Sequence, residues 1–211
     1  MKGKFITFEG AEGSGKSTQI ELLGKYLKER GIKVLLLREP GGVKISEQIR
    51  EFLLDVKNIA MTKECETLLY LAARSQVVEE LILPAMKKGL VVLCDRFQDS
   101  TIVYQGHGSG VDIDFIEKTG RFATQGLVPN LTFLFDIDAK KGLDRISRAK
   151  DRIERRSLSY HHKVRKGYLE EAQKHPERIK VIKVNGGKEQ IHQEIRQYID
   201  EILKPVRSAN G

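Results

Sequence analysis

This chain of 211 residues has little cysteine, no long apolar run and no low-complexity tract. None of its apolar runs approaches the ~18 residues that a membrane-spanning helix needs. The opening stretch, MKGKFITFEG, alternates apolar and polar residues. It has neither the apolar core nor the small-residue cleavage site of a secretory signal. Two cysteines, Cys65 and Cys94, are too few for a disulfide framework or a four-ligand zinc site. They read as small buried hydrophobes in a reducing compartment. With no repeat or linker, residues 1–211 read as one domain. These absences argue against secretion, membrane insertion and structural zinc, and set the expectation of a cytoplasmic protein.

What is present is an adequate core and an uneven charge. Hydrophobic residues make up 40% of the chain, enough to bury a sizeable core. The formal charge is +8, and the segment from Lys140 to Lys166 alone nets +8, with eleven Lys/Arg against Asp144, Asp151 and Glu154. A nucleic-acid-binding surface places charge this way, and so does a basic flap that closes over polyphosphate. Composition does not choose between them.

The hydrophobic pattern alternates strand and helix. Strands are expected at Lys4–Glu9, Ile32–Leu37, Leu90–Cys94, Leu131–Ile137 and Ile179–Val184. The run IKVLLL at Ile32–Leu37 suits a strand buried on both faces. Helices are expected at Lys16–Arg30, Lys44–Leu54, Lys63–Lys88 (bent near Pro84), Asp112–Gln125, Ala139–Lys150, Ser157–Lys174 and Lys188–Lys204. Such alternation implies an α/β fold, a five-stranded parallel sheet with helices on both faces.

Between the first strand and the first helix lies Gly10-Ala11-Glu12-Gly13-Ser14-Gly15-Lys16-Ser17, followed by Thr18. This fits G-x-x-x-x-G-K-[ST] in the strand-to-helix context that gives the motif meaning. Its glycines let backbone N–H groups turn inward around a phosphate, and the helix N-terminus adds positive potential. Lys16 would reach the β/γ-phosphates of a nucleoside triphosphate and Ser17 would join a Mg²⁺ shell. Asp95-Arg96 follows the strand at Leu90–Cys94. A carboxylate at the carboxyl end of a parallel strand lies in the crevice where such sheets bind ligands, placed to hold Mg²⁺ or orient an acceptor. Arg96 beside it offers an anion site.

With these motifs stand Arg38-Glu39-Pro40-Gly41-Gly42, Tyr70-Leu71-Ala72-Ala73-Arg74, Asp95-Arg96-Phe97, Ser100, Tyr104-Gln105-Gly106, Asp151-Arg152-Ile153-Glu154 and Val164-Arg165-Lys166-Gly167-Tyr168-Leu169. In this order, over almost the whole chain, they resemble the thymidylate kinase family of nucleoside monophosphate kinases. The resemblance implies a P-loop kinase fold with a short basic lid at about 140–157, transfer of the ATP γ-phosphate to dTMP, Mg²⁺, and a homodimer. It implies no nucleic-acid or membrane partner. It assigns Tyr70 to stacking on thymine and Arg74 to a base carbonyl, and the four-residue spacing places both on one helix face. Ser100 and Gln105 match the loop that reads the base edge. Glu12 matches an acid near the acceptor 3′-hydroxyl. Arg38 and Arg96 match acceptor-phosphate contacts, Glu39 is placed by the resemblance among the dTMP-binding residues, and Pro40 matches a turn proline below the acceptor.

The departures from the family pattern are Phe97 for a frequent tyrosine, Val43 for threonine, Ser109 for arginine and His162 for an acid. Some relatives carry an arginine inside the phosphate turn, where this chain has Gly13. The cation for the transferring phosphoryl group is therefore expected from the lid, with Arg148 and Arg152 first and Arg145 behind them. The alternatives are a kinase for another monophosphate, dUMP included, and a nucleic-acid-binding P-loop ATPase using the basic segment.

Overall fold

The computed structural model describes residues 3–204. Its five strands are β1 (Lys4–Gly10), β2 (Val34–Arg38), β3 (Val91–Asp95), β4 (Leu131–Asp136) and β5 (Ile179–Lys183). They form one parallel sheet in the order β2-β3-β1-β4-β5. Side chains on β1 alternate between the two faces, as the period of a strand requires. Ile6 and Phe8 pack with Leu23 and Leu27 of α1 (Lys16–Glu29) and with Ile191, Ile195 and Ile199 of α9 (Lys188–Leu203). Phe5 packs on the opposite face with Val77, Val78 and Ile82.

On that second face α3 (Lys63–Val77) continues through a π-helical stretch (Val78–Ile82) into α4 (Leu83–Lys87). The wider turn falls just before Pro84, whose ring and missing N–H cannot be fitted into an α-helix interior. α2 (Lys44–Leu54) packs on α3, and α8 (Leu158–Lys174) covers Leu134 of β4 through Val164 and Tyr168. α6 (Ile113–Ala123) flanks α3.

Four expectations need correction. β2 is an edge strand paired only with β3, and its residues are exposed or half-buried rather than buried on both faces. The helix expected over Ala139–Lys150 ends early, as α7 (Ala139–Asp144). Beyond it, Asp151 Oδ1 accepts from the N–H groups of Ile153 and Glu154, and Glu154 Oε2 accepts from the N–H of Asp151. These side-chain bonds satisfy backbone that a helix would otherwise satisfy. A helix not expected at all, α5 (Gln98–Thr101), runs into a π-helical stretch at Ile102–Gly108. Its β-branched and glycine residues have poor helix propensity, but Ile102–Gly106 are buried, so packing overrides it. Finally, Cys94 is buried but Cys65 is exposed.

Candidate active site

The carboxyl ends of β1, β2 and β3 open on a cleft of about 520 Å³. Glu12, Gly13, Lys16 and Ser17 line it together with Tyr70, Arg74, Ser100 and Gln105. Gly13 and Gly15 sit in the left-handed region, with φ of 66° and 89°. Only glycine takes that conformation without strain, and it is what curls the loop. Gly13 also lies against Gly142 of α7: a Cβ on either would collide with backbone, with the Gly142 carbonyl in one case and the Glu12 carbonyl in the other. Lys16 Nζ donates to the carbonyls of Gly10 (3.1 Å) and Ala11 (3.0 Å) and to Ser14 Oγ (3.3 Å). Burial and the nearby Arg96 charge lower its pKa to about 8, against the pull of Asp95, Glu12 and Glu9. Thr18 is exposed in the first turn of α1.

Asp95 closes β3 beside this loop. Its Oδ2 accepts from Ser17 Oγ at 3.0 Å, while Oδ1 is buried with no hydrogen-bond partner. A hydroxyl and a carboxylate with one unused oxygen are hard oxygen donors of the kind Mg²⁺ takes through one or two protein groups. The pair fits the ion.

Arg96 follows with φ of 72°, in the left-handed region. Its guanidinium lies over the Tyr104 ring at 4.8 Å and donates to Glu12 Oε1 (3.2 Å), Ser100 Oγ (3.3 Å) and the Tyr168 hydroxyl (3.2 Å). Glu12 Oε1 also accepts from the Tyr104 hydroxyl at 2.6 Å, and His161 Nδ1 stands 3.4 Å from Oε2. Burial would raise the pKa of Glu12. His161, Arg96, Tyr104 and Lys16 outweigh it and hold the group down at about 2. Behind them Glu9 accepts from the N–H of Phe97 (2.7 Å), Ser100 Oγ (2.5 Å) and the Tyr168 hydroxyl (2.8 Å). Burial and the charge of Asp99 push Glu9 up to about 7, against Ser100, Arg96 and Tyr168.

Arg74 is buried in the wall of the cleft. Nε donates to Glu39 Oε2 (2.7 Å), Nη1 to Gln98 Oε1 and Thr101 Oγ1 (2.8 Å each), and Nη2 to the Phe97 carbonyl (2.9 Å). Four of the five N–H groups of a guanidinium are thus taken, which leaves one for a ligand. Burial raises the pKa of Glu39, and Arg74 opposes it. Arg38 donates to the Pro40 carbonyl (3.0 Å) and to Glu47 (3.0 Å), and Arg50 donates to the same Pro40 carbonyl (3.0 Å). Arg50 also lines the cleft, a cation that its place on an ordinary helix surface did not signal. Phe97, which lacks the hydroxyl of the frequent tyrosine, is buried with its ring edge-on to Phe5 at 4.7 Å. Ser109 accepts from Arg156 at 2.6 Å, Val43 packs half-buried against the core, and His162 is exposed.

The lid arginines separate. Arg148 lines the cleft and pairs through both Nη atoms with Glu154 (2.8 and 2.6 Å), and Arg145 lines it while donating to the Gly13 carbonyl at 3.3 Å. Arg152, expected beside them, does not line the cleft. Its Nη1 pairs with buried Glu66 at 2.6 Å and its Nε donates to the Leu53 carbonyl at 2.7 Å.

The family model for thymidylate kinase matches residues 8–195, nearly the whole chain. The chain belongs to the thymidylate kinase family. It is 44% identical over 214 residues to the thymidylate kinase of Pelotomaculum thermopropionicum, covering 100% of this chain and 99% of that one. Against the thymidylate kinase of a Geobacillus species the identity is 50% over 186 residues, covering 86% and 89%. The crystal structure of thymidylate kinase from Ehrlichia chaffeensis superimposes with a TM-score of 0.79 at 32% identity, over 94% of this chain and 100% of that one. The phosphate loop, the Asp95-Arg96 strand end and the Tyr70–Arg74 face of this family member meet at one cleft.

Proposed function

We propose that the chain is a dTMP kinase that transfers the γ-phosphate of ATP to dTMP, with Mg²⁺, to give dTDP and ADP. The observation that carries this is the position of Tyr70 and Arg74 in the same cleft as Lys16 and Ser17, together with Glu12 and Arg96. A flat ring and one free N–H suit a planar base with an exocyclic carbonyl. Lys16 and the loop N–H groups would hold the β- and γ-phosphates, and Ser17 and Asp95 would hold Mg²⁺. The ion, when bound, neutralises charge on the phosphates. Glu12, kept ionised by its neighbours, would accept from the 3′-hydroxyl. Arg38 and Arg96, with Arg50, would hold the acceptor phosphate.

Transfer would be direct and in line, since phosphoryl transfer leaves the protein mainly positioning and charge stabilisation. Arg148, with Arg145, is our choice for the cation that meets the transferring group. Arg152 would serve the lid's anchorage instead. Much of the basic segment is already paired, Arg148 with Glu154, Arg152 and Arg156 with Glu66, and Arg165 with Asp136. Its aromatic neighbours Tyr160 and Tyr168 are buried, which favours a lid over a nucleic-acid surface.

We take the chain as one kinase domain acting in the cytoplasm. Among the described residues no helix is long and apolar enough to cross a membrane. A homodimer is supported by exposed apolar side chains on the packed helices α3 and α6, Leu68, Phe115 and Phe122. The deciding experiment is a coupled ADP-release assay over dTMP, dUMP, AMP, GMP and CMP. dTMP should outrank the rest, and its failure to do so overturns the reading.

A further inference from the structure

Glu66, Tyr70 and Arg74 recur at four-residue intervals along α3 and share one helix face. Glu66 has no solvent exposure, and both its oxygens are engaged. Oε1 accepts from Gln105 Nε2 at 2.8 Å. Oε2 accepts from Arg152 Nη1 at 2.6 Å and Arg156 Nη2 at 2.7 Å. The two arginines come from the irregular segment that follows α7, and Gln105 comes from the π-helical stretch after α5. Three separate parts of the chain thus converge on one buried carboxylate.

A carboxylate only accepts hydrogen bonds, whereas an amide has one end that donates and one that accepts. Beside Glu66 the Gln105 amide therefore has a single favourable orientation, NH₂ toward the carboxylate. Its carbonyl oxygen, which takes no donor among the described residues, is what Gln105 presents to the cleft it lines. Arg74, in the same wall, has one N–H unused. The wall offers one donor and one acceptor. A pyrimidine with a 4-oxo group and an N3–H complements both; one with a 4-amino group and a bare N3 opposes both.

We propose that Glu66 is a specificity-determining positioning residue. It fixes the Gln105 amide with its acceptor toward the base, while Arg152 and Arg156 hold its other oxygen. The proposal rests on the dTMP kinase reading above. Turning the amide over would set its NH₂ against the base N3–H and its carbonyl against a buried carboxylate, both repulsive.

The test compares kcat/KM for dTMP and dCMP at saturating ATP in wild type, in Glu66→Gln and in the Glu66→Gln/Gln105→Glu double variant. Wild type should prefer dTMP; without that preference the kinase reading fails, and this proposal with it. Glu66→Gln frees the amide to turn. Its KM for dTMP should rise about tenfold to a hundredfold, the cost of one misoriented buried hydrogen bond. Its dTMP-to-dCMP ratio should fall about as far, while kcat and the KM for ATP stay within about threefold. In the double variant the roles exchange: the new amide at 66 donates to the carboxylate at 105 and accepts from the arginines. The second oxygen of that carboxylate again presents an acceptor, so the ratio should return to near wild type. A wild-type ratio in Glu66→Gln overturns the proposal. So does a folded double variant, judged by circular dichroism, that stays unselective. If Glu66→Gln is insoluble, the double variant decides alone: selectivity recovered supports the proposal and selectivity lost refutes it.

Discussion

Replacing Arg74 should damage the fold before it reveals anything about the base. The guanidinium is almost wholly buried and compensates Glu39, which is itself only 3% exposed and already has Oε1 without a partner. Arg74→Met keeps the length of the stem and removes all four donated bonds. It leaves a buried carboxylate without its cation, a loss that typically costs ~3–5 kcal/mol. Gln98, Thr101 and the Phe97 carbonyl lose donors as well, and the Phe97 ring loses the cation that lies over it at 5.3 Å. Against a total stability of ~5–15 kcal/mol this is a large fraction.

Urea denaturation at neutral pH should therefore show a midpoint well below wild type. Adding Glu39→Gln removes the stranded charge and should recover more than half of the loss. At a temperature where the double variant is folded, the KM for dTMP should be raised and the KM for ATP unchanged. An Arg74→Met variant within about 1 kcal/mol of wild type, near the spread of ordinary surface changes, would refute the reasoning.

Asp95→Asn should lower kcat by about 10²–10³ with the fold intact, and calorimetric titration of Mg²⁺ with ATP present should show weaker binding; wild-type kcat would exclude Asp95 from the site. Arg148→Ala should lose about 10³ in kcat at saturating ATP and dTMP while the KM for dTMP holds, and unchanged turnover would leave Arg145 as the lid cation. Glu9 has a folded-state pKa raised from 4.5 to about 7, so its contribution to stability is complete below pH 4.5 and is lost as pH rises through 7. Glu9→Gln should remove that fall, on the order of 3 kcal/mol, from melting or urea curves taken between pH 5 and 8.5; a parallel fall in the variant would place its origin elsewhere.

Local pattern carried most of the frame. The four strands β1, β3, β4 and β5 are short apolar runs closed by glycine, aspartate or a charged turn, and such runs have few other places to go. The phosphate loop was legible because its spacing is itself the geometry. Edge position was not legible: VLLLR in β2 is as apolar as a central strand, and only the strand order leaves it with one neighbour. The helix at Gln98–Thr101 and its π-helical extension were hidden by glycines and β-branched residues whose burial stabilises what their propensities oppose. Arg152 and Arg148 look alike in sequence, and their different fates depend on acids distant or local, Glu66 for one and Glu154 for the other. Glu66 did leave a trace, standing one helical turn before Tyr70 on the face already singled out.

The glycine-to-glycine contact between the phosphate loop and α7 has a consequence for how such an enzyme changes over generations. Position 13 admits no Cβ while α7 keeps its present path, because the Gly142 backbone occupies that space. An arginine there and this placement of α7 are mutually exclusive. Moving the phosphoryl-neutralising cation from lid to loop is therefore not reached by one substitution, nor by losing one lid arginine and gaining another elsewhere. It requires the loop and the root of the lid to change together, because a side chain at position 13 meets the Gly142 backbone as α7 now runs. A relative with an arginine at this position must carry its α7 on a different path, and on the lid reading proposed above a chain with Gly13 against Gly142 draws its cation from the other side of the cleft.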